Sequence, residues 1–150
     1  MQYIERDITT VERGVIAQGV NCQHAMGSGV ALAIMRKWPR VYEAYMANLF
    51  GGQMLGTAHL INVGNDDLWI ANCYTQEYFG SDGKQYASAE AIHDAFGFVF
   101  EHARIYKLPL YLPQIGAGLG GLDWELDVEP IINQYDETFE TVDTTICLWG

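Results

Sequence analysis

The chain has 150 residues, which suits one domain, and at 49% hydrophobic and 18% charged it can bury an ordinary core. Nineteen acidic residues against 8 basic give a net charge of −11, which repels a nucleic-acid backbone and argues against a nucleic-acid partner, yet leaves room for a small anion held by backbone N–H groups. No apolar run reaches about 18 residues and no basic stretch leads into one, so no membrane span, no signal segment and a cytoplasmic location are expected.

Residues 14–20 (GVIAQGV) form an apolar run before a Gly-rich turn, the pattern of a buried strand. Residues 30–38 predict a helix, and Pro39 either ends it or starts the next one over 41–49. Segments 59–63 and 68–73 flank the turn-rich Gly64-Asn65-Asp66-Asp67 and predict a hairpin. A long helix is expected over 88–106, capped by Ser88, with Ala91, Ile92, Ala95, Phe96, Val99 and Ala103 on one face. A buried strand over 108–112 follows, then a helix over 126–139 with Pro130 in its first turn, and a β-branched strand over 144–148. The late acidic residues, Asp123 to Asp143, read as a solvated face. Strand–helix alternation predicts an α/β layered fold, and the hairpin makes its sheet mixed. Ligands of such sheets gather at the carboxyl ends of the strands, where two glycine-rich segments fall.

The first segment, residues 21–29 (NCQHAMGSG), joins a strand to a helix. Gly27 and Gly29 permit close backbone approach, and the helix start offers free N–H groups and a positive dipole end. It lacks the Lys-Ser/Thr ending of a triphosphate loop and contains no GxGxxG. The second, residues 113–121 (PQIGAGLGG), carries Gly116, Gly118, Gly120 and Gly121, a density that weakens a fold unless unusual angles or close approach are needed. Each alone is also consistent with a tight turn. As a pair they suggest two walls of one cleft with a pyrophosphate between them.

Residues 3–9 (YIERDIT), 19–31 (GVNCQHAMGSGVA) and 112–125 (LPQIGAGLGGLDWE) resemble the macro domain family, in particular the subgroup of ADP-ribose-1''-phosphate phosphatases and terminal ADP-ribose protein glycohydrolases. The resemblance covers almost the whole chain. It implies a three-layer α/β/α fold with a mixed twisted sheet, and ADP-ribose or a derivative as a small-molecule partner. On this likeness Asp7 accepts the adenine amino group, with the Ile8 backbone beside it, although Arg6 stands where the family has glycine; a capping aspartate is the other reading. Met26, Gly27, Ser28, Gly29 and Val30 face the pyrophosphate or distal ribose. Gly116, Ala117, Gly118, Leu119 and Gly120 close the other side, and Asn21 sits by the distal ribose. Trp149 reads either as an adenine neighbour or as a core aromatic. The glycohydrolase branch uses a lysine and an aspartate whose positions fall here on Gln76 and Gly120, so a lysine-adduct mechanism is not expected; Lys84 and Asp123 lie only a few residues away.

Few catalysts remain. His24 belongs to a residue type that titrates near neutrality and could protonate a leaving group or orient water, and the plainer reading is a hydrogen-bonded loop histidine. Asn21 could position water. Cys22 reads as a buried thiol or a nucleophile, and Cys73 and Cys147 as buried free thiols of a reduced compartment. His59, His93 and His102 read as structural or surface residues. No cluster has metal-ligand spacing, so no metal and no cofactor are called for. Residues 74–86 (YTQEYFGSDGKQY) read either as an aromatic loop over the ligand or as ordinary surface packing. The expected activity is hydrolysis of ADP-ribose 1''-phosphate. A non-catalytic reader and removal of ADP-ribose from macromolecules are the alternatives.

Overall fold

A computed structural model describes residues 1–26, 29–48, 54–64, 66–80 and 82–148. The elements run β1 (Gln2–Glu5), a 3-10 turn (Ile8–Thr10), β2 (Gly14–Asn21), α1 (Gly29–Lys37), α2 (Pro39–Ala47), β3 (Ala58–Asn62), β4 (Leu68–Gln76), α3 (Ala89–Tyr106), β5 (Leu110–Leu112), a π-helical turn (Trp124–Val128), α4 (Glu129–Thr138) and β6 (Thr144–Leu148). They form one sheet of order β1-β6-β5-β2-β4-β3. All pairings are parallel except β3–β4, so the expected mixed sheet and its hairpin are present.

Alternation along the strands divides the core between two helical layers. On β2, Val15 and Ala17 join the α3–α4 side with Phe96, Phe100 and Ile132. Ile16 and Val20 join the α1–α2 side with Ile34, Val41 and Tyr45. The architecture is therefore the three-layer α/β/α arrangement. Along α3, Ala91, Ile92, Ala95, Phe96, Val99, Phe100 and Ala103 are buried. Each fully buried large side chain there contributes ~1.5–3 kcal/mol. The Ser88 hydroxyl caps the helix, accepting from Ala91 N at 3.1 Å. Pro39 opens α2, where its missing N–H costs nothing.

The last helix differs from expectation at its start. Trp124–Val128 forms a π-helical turn, and α4 begins only at Glu129. Asp123 caps the turn, accepting from Leu126 N at 2.9 Å, while the Asp127 carboxylate accepts from Asp123 N at 2.8 Å. Two of the late acidic residues are therefore local caps. The strand expected over 108–112 is shorter, Leu110–Leu112.

Because β2, β4 and β5 are adjacent and parallel, their carboxyl ends open on one edge of the sheet. The β2–α1 loop, the β4–α3 loop and the loop after β5 all leave from that edge. A crevice outside these ends is where such a sheet binds ligands.

Candidate functional site

At the β1 end, Asp7 is exposed and Ile8 is buried in the core. Asp7 Oδ1 accepts from Thr9 N at 2.9 Å and from the Thr9 hydroxyl at 2.7 Å, so the residue does cap the 3-10 turn. Among the described residues, Oδ2 takes no hydrogen bond. The Thr9 hydroxyl, then its backbone N–H, hold the carboxyl below its ordinary value, with a smaller contribution from the nearby Lys37 charge. A carboxylate so held stays an acceptor. Lys37 is itself tied to the turn, donating to Thr9 O at 2.7 Å.

The first loop turns at the end of β2. The pairing with β4 shifts register between Val20 and Asn21. Asn21 is buried, and its Oδ1 accepts from Gln23 N at 2.9 Å and Ala25 N at 3.3 Å. Its Nδ2 donates to Ala25 O at 2.9 Å. Tyr45 on α2 donates to Asn21 O at 2.5 Å and to Oδ1 at 2.8 Å. His24 is half-buried and left-handed at φ 60°, a conformation costly for a non-glycine residue. Its Nε2 makes a close hydrogen bond with Asn48 O. A carbonyl oxygen only accepts, so Nε2 carries the hydrogen and Nδ1 is the nitrogen left for a ligand. Met26 is buried, while Val30 at the start of α1 is half-buried. Gly29 opens α1 at φ 59°, a Cβ there would meet nothing within 4 Å, and no acidic side chain occupies the first turn to neutralise its N–H groups. Gly27, Ser28 and Trp149 lie outside the described residues.

The second loop shows why it needs its glycines. Gly116 (φ 79°) and Gly121 (φ 81°) are left-handed. A Cβ on Gly120 would lie 2.7 Å from Gly116 O and 2.9 Å from Ala87 Cβ, so the loop as folded has no room for an aspartate there. Gly118 has neither excuse: its φ is not left-handed and a Cβ would meet nothing within 4 Å. Among the described residues, the N–H groups of Gly118, Leu119 and Gly120 donate to no backbone acceptor. Anion sites are commonly built from such runs of free amides. Ala117 N reaches Gln114 O at 3.3 Å, and Leu119 is 58% exposed at the rim.

The β4–α3 loop links the two. Cys22 N donates to Gln76 O at 3.1 Å, while Tyr86 N and Ala87 N donate to Gly120 O at 2.8 and 2.9 Å. Gln76 pairs with Asn21 across the strands, and its Nε2 donates to Tyr78 O at 2.7 Å. Tyr78 and Phe79 are 59% and 55% exposed, so neither is packed into the core. Lys84 is exposed beside Asp82.

The other candidates offer less. The Cys22 thiol is buried and pushed up, first by burial and then by the Glu77 charge, which disfavours the thiolate a nucleophile needs. Cys73 and Cys147 are also free, buried and pushed up by burial. His59 is exposed on β3, His93 meets Asp94 at 3.1 Å, and His102 stacks on Tyr106 at 4.4 Å. A concavity of about 630 Å³ lies between β3 and α3, lined by Ala58, Leu60, Phe98, His102 and Ile105. Neither glycine loop contributes to its walls. Among the described residues, no three His, Cys, Asp or Glu side chains gather to hold a metal ion. Sequence reasoning missed Tyr45 and Asn48, which reach the first loop from more than 20 positions away.

The profile of the macro domain family matches residues 17–132. The chain belongs to the macro domain family. It is 30% identical over 148 residues to an uncharacterised 17.5 kDa protein of the tk-vs intergenic region of phage T4, spanning 95% of this chain and 94% of that one. A DNA ADP-ribosyl glycohydrolase of Mycobacterium tuberculosis is 26% identical over 96% of this chain, which spans 41% of that protein. An ADP-ribose 1''-phosphate phosphatase of Candida albicans is 24% identical, over 91% of this chain and 94% of that one. Among solved structures, a Bacteroides thetaiotaomicron protein of unknown function superposes with a TM-score of 0.86 at 29% identity, covering 98% of this chain and 96% of that one. The Thermosipho africanus DarTG complex with ADP-ribose shares the fold at a TM-score of 0.72 and 22% identity, over 91% of this chain and 38% of that one. Macro domain relatives thus include ADP-ribose binders and hydrolases acting on ADP-ribose derivatives.

Proposed function

We propose that this macro domain holds ADP-ribose between its two glycine loops and hydrolyses ADP-ribose 1''-phosphate to ADP-ribose and phosphate. Gly118 carries the reading, because the fold gives no reason for a glycine there while the adjacent amides have no backbone acceptor. A pyrophosphate supplies what both features lack. Asp7 takes the adenine amino group through Oδ2, and the start of α1 supports the phosphates from the other side. The likeness to a 1''-phosphate phosphatase supports a small substrate.

In this account His24 Nδ1 accepts a proton from water as the water oxygen attacks phosphorus. The bond from phosphorus to the 1'' oxygen breaks, its electron pair stays on that oxygen, and His24 returns the proton there. Three buried free thiols accord with a reducing compartment such as the cytoplasm. The net charge of −11 counts against a nucleic-acid substrate.

The test is phosphate release from ADP-ribose 1''-phosphate by the wild type and by His24→Ala. General-base loss lowers kcat ~10²–10⁴-fold, with ADP-ribose affinity retained. Wild-type binding without any phosphate release would favour the second reading, a reader without turnover. That reading is supported by glutamine and glycine at the family's lysine and aspartate positions, Gln76 and Gly120.

A further inference from the structure

We propose that Tyr45, which lies outside the cleft, is the positioning residue of the first ligand loop, holding both oxygens of Asn21 and bracing His24. This rests on the reading that the loop holds ADP-ribose. Tyr45 sits on α2 with none of its surface exposed. Its hydroxyl lies 2.5 Å from Asn21 O and 2.8 Å from Asn21 Oδ1, a bifurcated donation of one hydrogen. Burial keeps that hydrogen in place by pushing the phenol well above its ordinary value. The Tyr45 ring also packs tilted against His24, 5.4 Å between centroids. One buried side chain therefore supports both residues on which the chemistry depends.

The Asn21 amide can point only one way. Oδ1 is surrounded by three donors: the N–H groups of Gln23 at 2.9 Å and Ala25 at 3.3 Å, and the Tyr45 hydroxyl. Exchanging oxygen and nitrogen would set the amide hydrogens against the two backbone N–H groups. Nδ2 therefore faces the other side, where one of its hydrogens goes to Ala25 O at 2.9 Å. The second hydrogen is what the side chain has left to offer a ligand. Asn21 consequently meets an acceptor, a ribose hydroxyl oxygen or a phosphate oxygen. It does not take a proton from water, so the water-activating step falls to His24.

Tyr45→Phe keeps the ring, and with it the packing and the His24 contact, and removes the hydroxyl. Tyr74→Phe is the control. Tyr74 is equally buried, packs on Tyr45 at 6.1 Å, and its hydroxyl accepts from Asn48 Nδ2 at 3.1 Å, not from Asn21. Both variants are titrated calorimetrically with ADP-ribose, and amide hydrogen exchange is followed at Gln23 and Ala25. The expected result is a fold-intact Tyr45→Phe whose affinity drops about fivefold to tenfold, the scale of one hydrogen bond, with faster exchange at both amides. Tyr74→Phe should bind within about twofold of the wild type, because its hydroxyl meets the Asn48 side chain, whereas His24 is held by the Asn48 backbone oxygen. Wild-type affinity and protected amides in Tyr45→Phe would overturn the proposal, as would an equal loss in Tyr74→Phe. If the wild type fails to bind ADP-ribose, the functional reading falls, and exchange at Gln23 and Ala25 still decides the role of Tyr45. If Tyr45→Phe does not fold, the wild-type Asn21 amide decides: one slowly exchanging Nδ2 hydrogen supports the locked polarity, and two rapidly exchanging ones refute it.

Discussion

Replacing Gly118 by valine separates what the fold needs from what the ligand needs. A Cβ at 118 meets nothing within 4 Å, and the backbone there is not left-handed. The fold should therefore accept valine at a cost within about 0.5 kcal/mol, or gain slightly because a non-glycine residue restricts the unfolded chain. For a domain of this size that keeps the melting temperature within ~2 °C. Gly120→Ala is the counter-case. Its Cβ would stand 2.7 Å from Gly116 O and 2.9 Å from Ala87 Cβ, both poorly able to yield, so ~1–3 kcal/mol of stability is lost through overpacking. In ADP-ribose titrations Gly118→Val should lose at least tenfold, about 1.4 kcal/mol, because the side chain fills the space the pyrophosphate takes. A folded Gly118→Val that binds as the wild type does would refute the assignment of this loop to the cleft.

Three further outcomes follow from the site. Asp7→Ala should weaken ADP-ribose binding by about 1–3 kcal/mol, the scale for a charged hydrogen bond, and calorimetry on the folded variant checks it. The lowered Asp7 carboxyl stays ionised as pH falls toward its ordinary value of 3.8, so its share of binding and of stability is present above that value and is lost below it; a loss of affinity already between pH 7 and 5 would contradict this. Cys22→Ala should retain turnover and the wild-type thiol should alkylate slowly at pH 7, since burial disfavours its thiolate; rapid inactivation by a thiol reagent with loss of turnover in the variant would make it a nucleophile after all.

Much of the fold was legible because local signals agreed with it. Ser88 marked the start of α3, and the helical spacing from Ala91 to Ala103 gave its buried face. Gly64 and its polar neighbours marked the turn between β3 and β4. The start of α4 was not legible, because Asp123 and Asp127 close a wider turn through side-chain bonds that propensity does not record. At the site, the two glycine loops stood out by composition. Which glycine the fold leaves unexplained did not, since Gly116, Gly118 and Gly120 look alike in sequence and differ in backbone angle and in what surrounds each Cα. The bonds from Tyr45 to Asn21 and from Asn48 to His24 join residues 24 positions apart, where no periodicity reaches.

Binding of one ADP-ribose between the two glycine loops is open to measurement. Backbone amide shifts followed by NMR during ADP-ribose titration test it most directly. The amides of Val30 and Ala31 at the start of α1 and those of Gly118, Leu119 and Gly120 should move together, with one saturation curve. Shifts confined to one loop, or two curves with different midpoints, would contradict it.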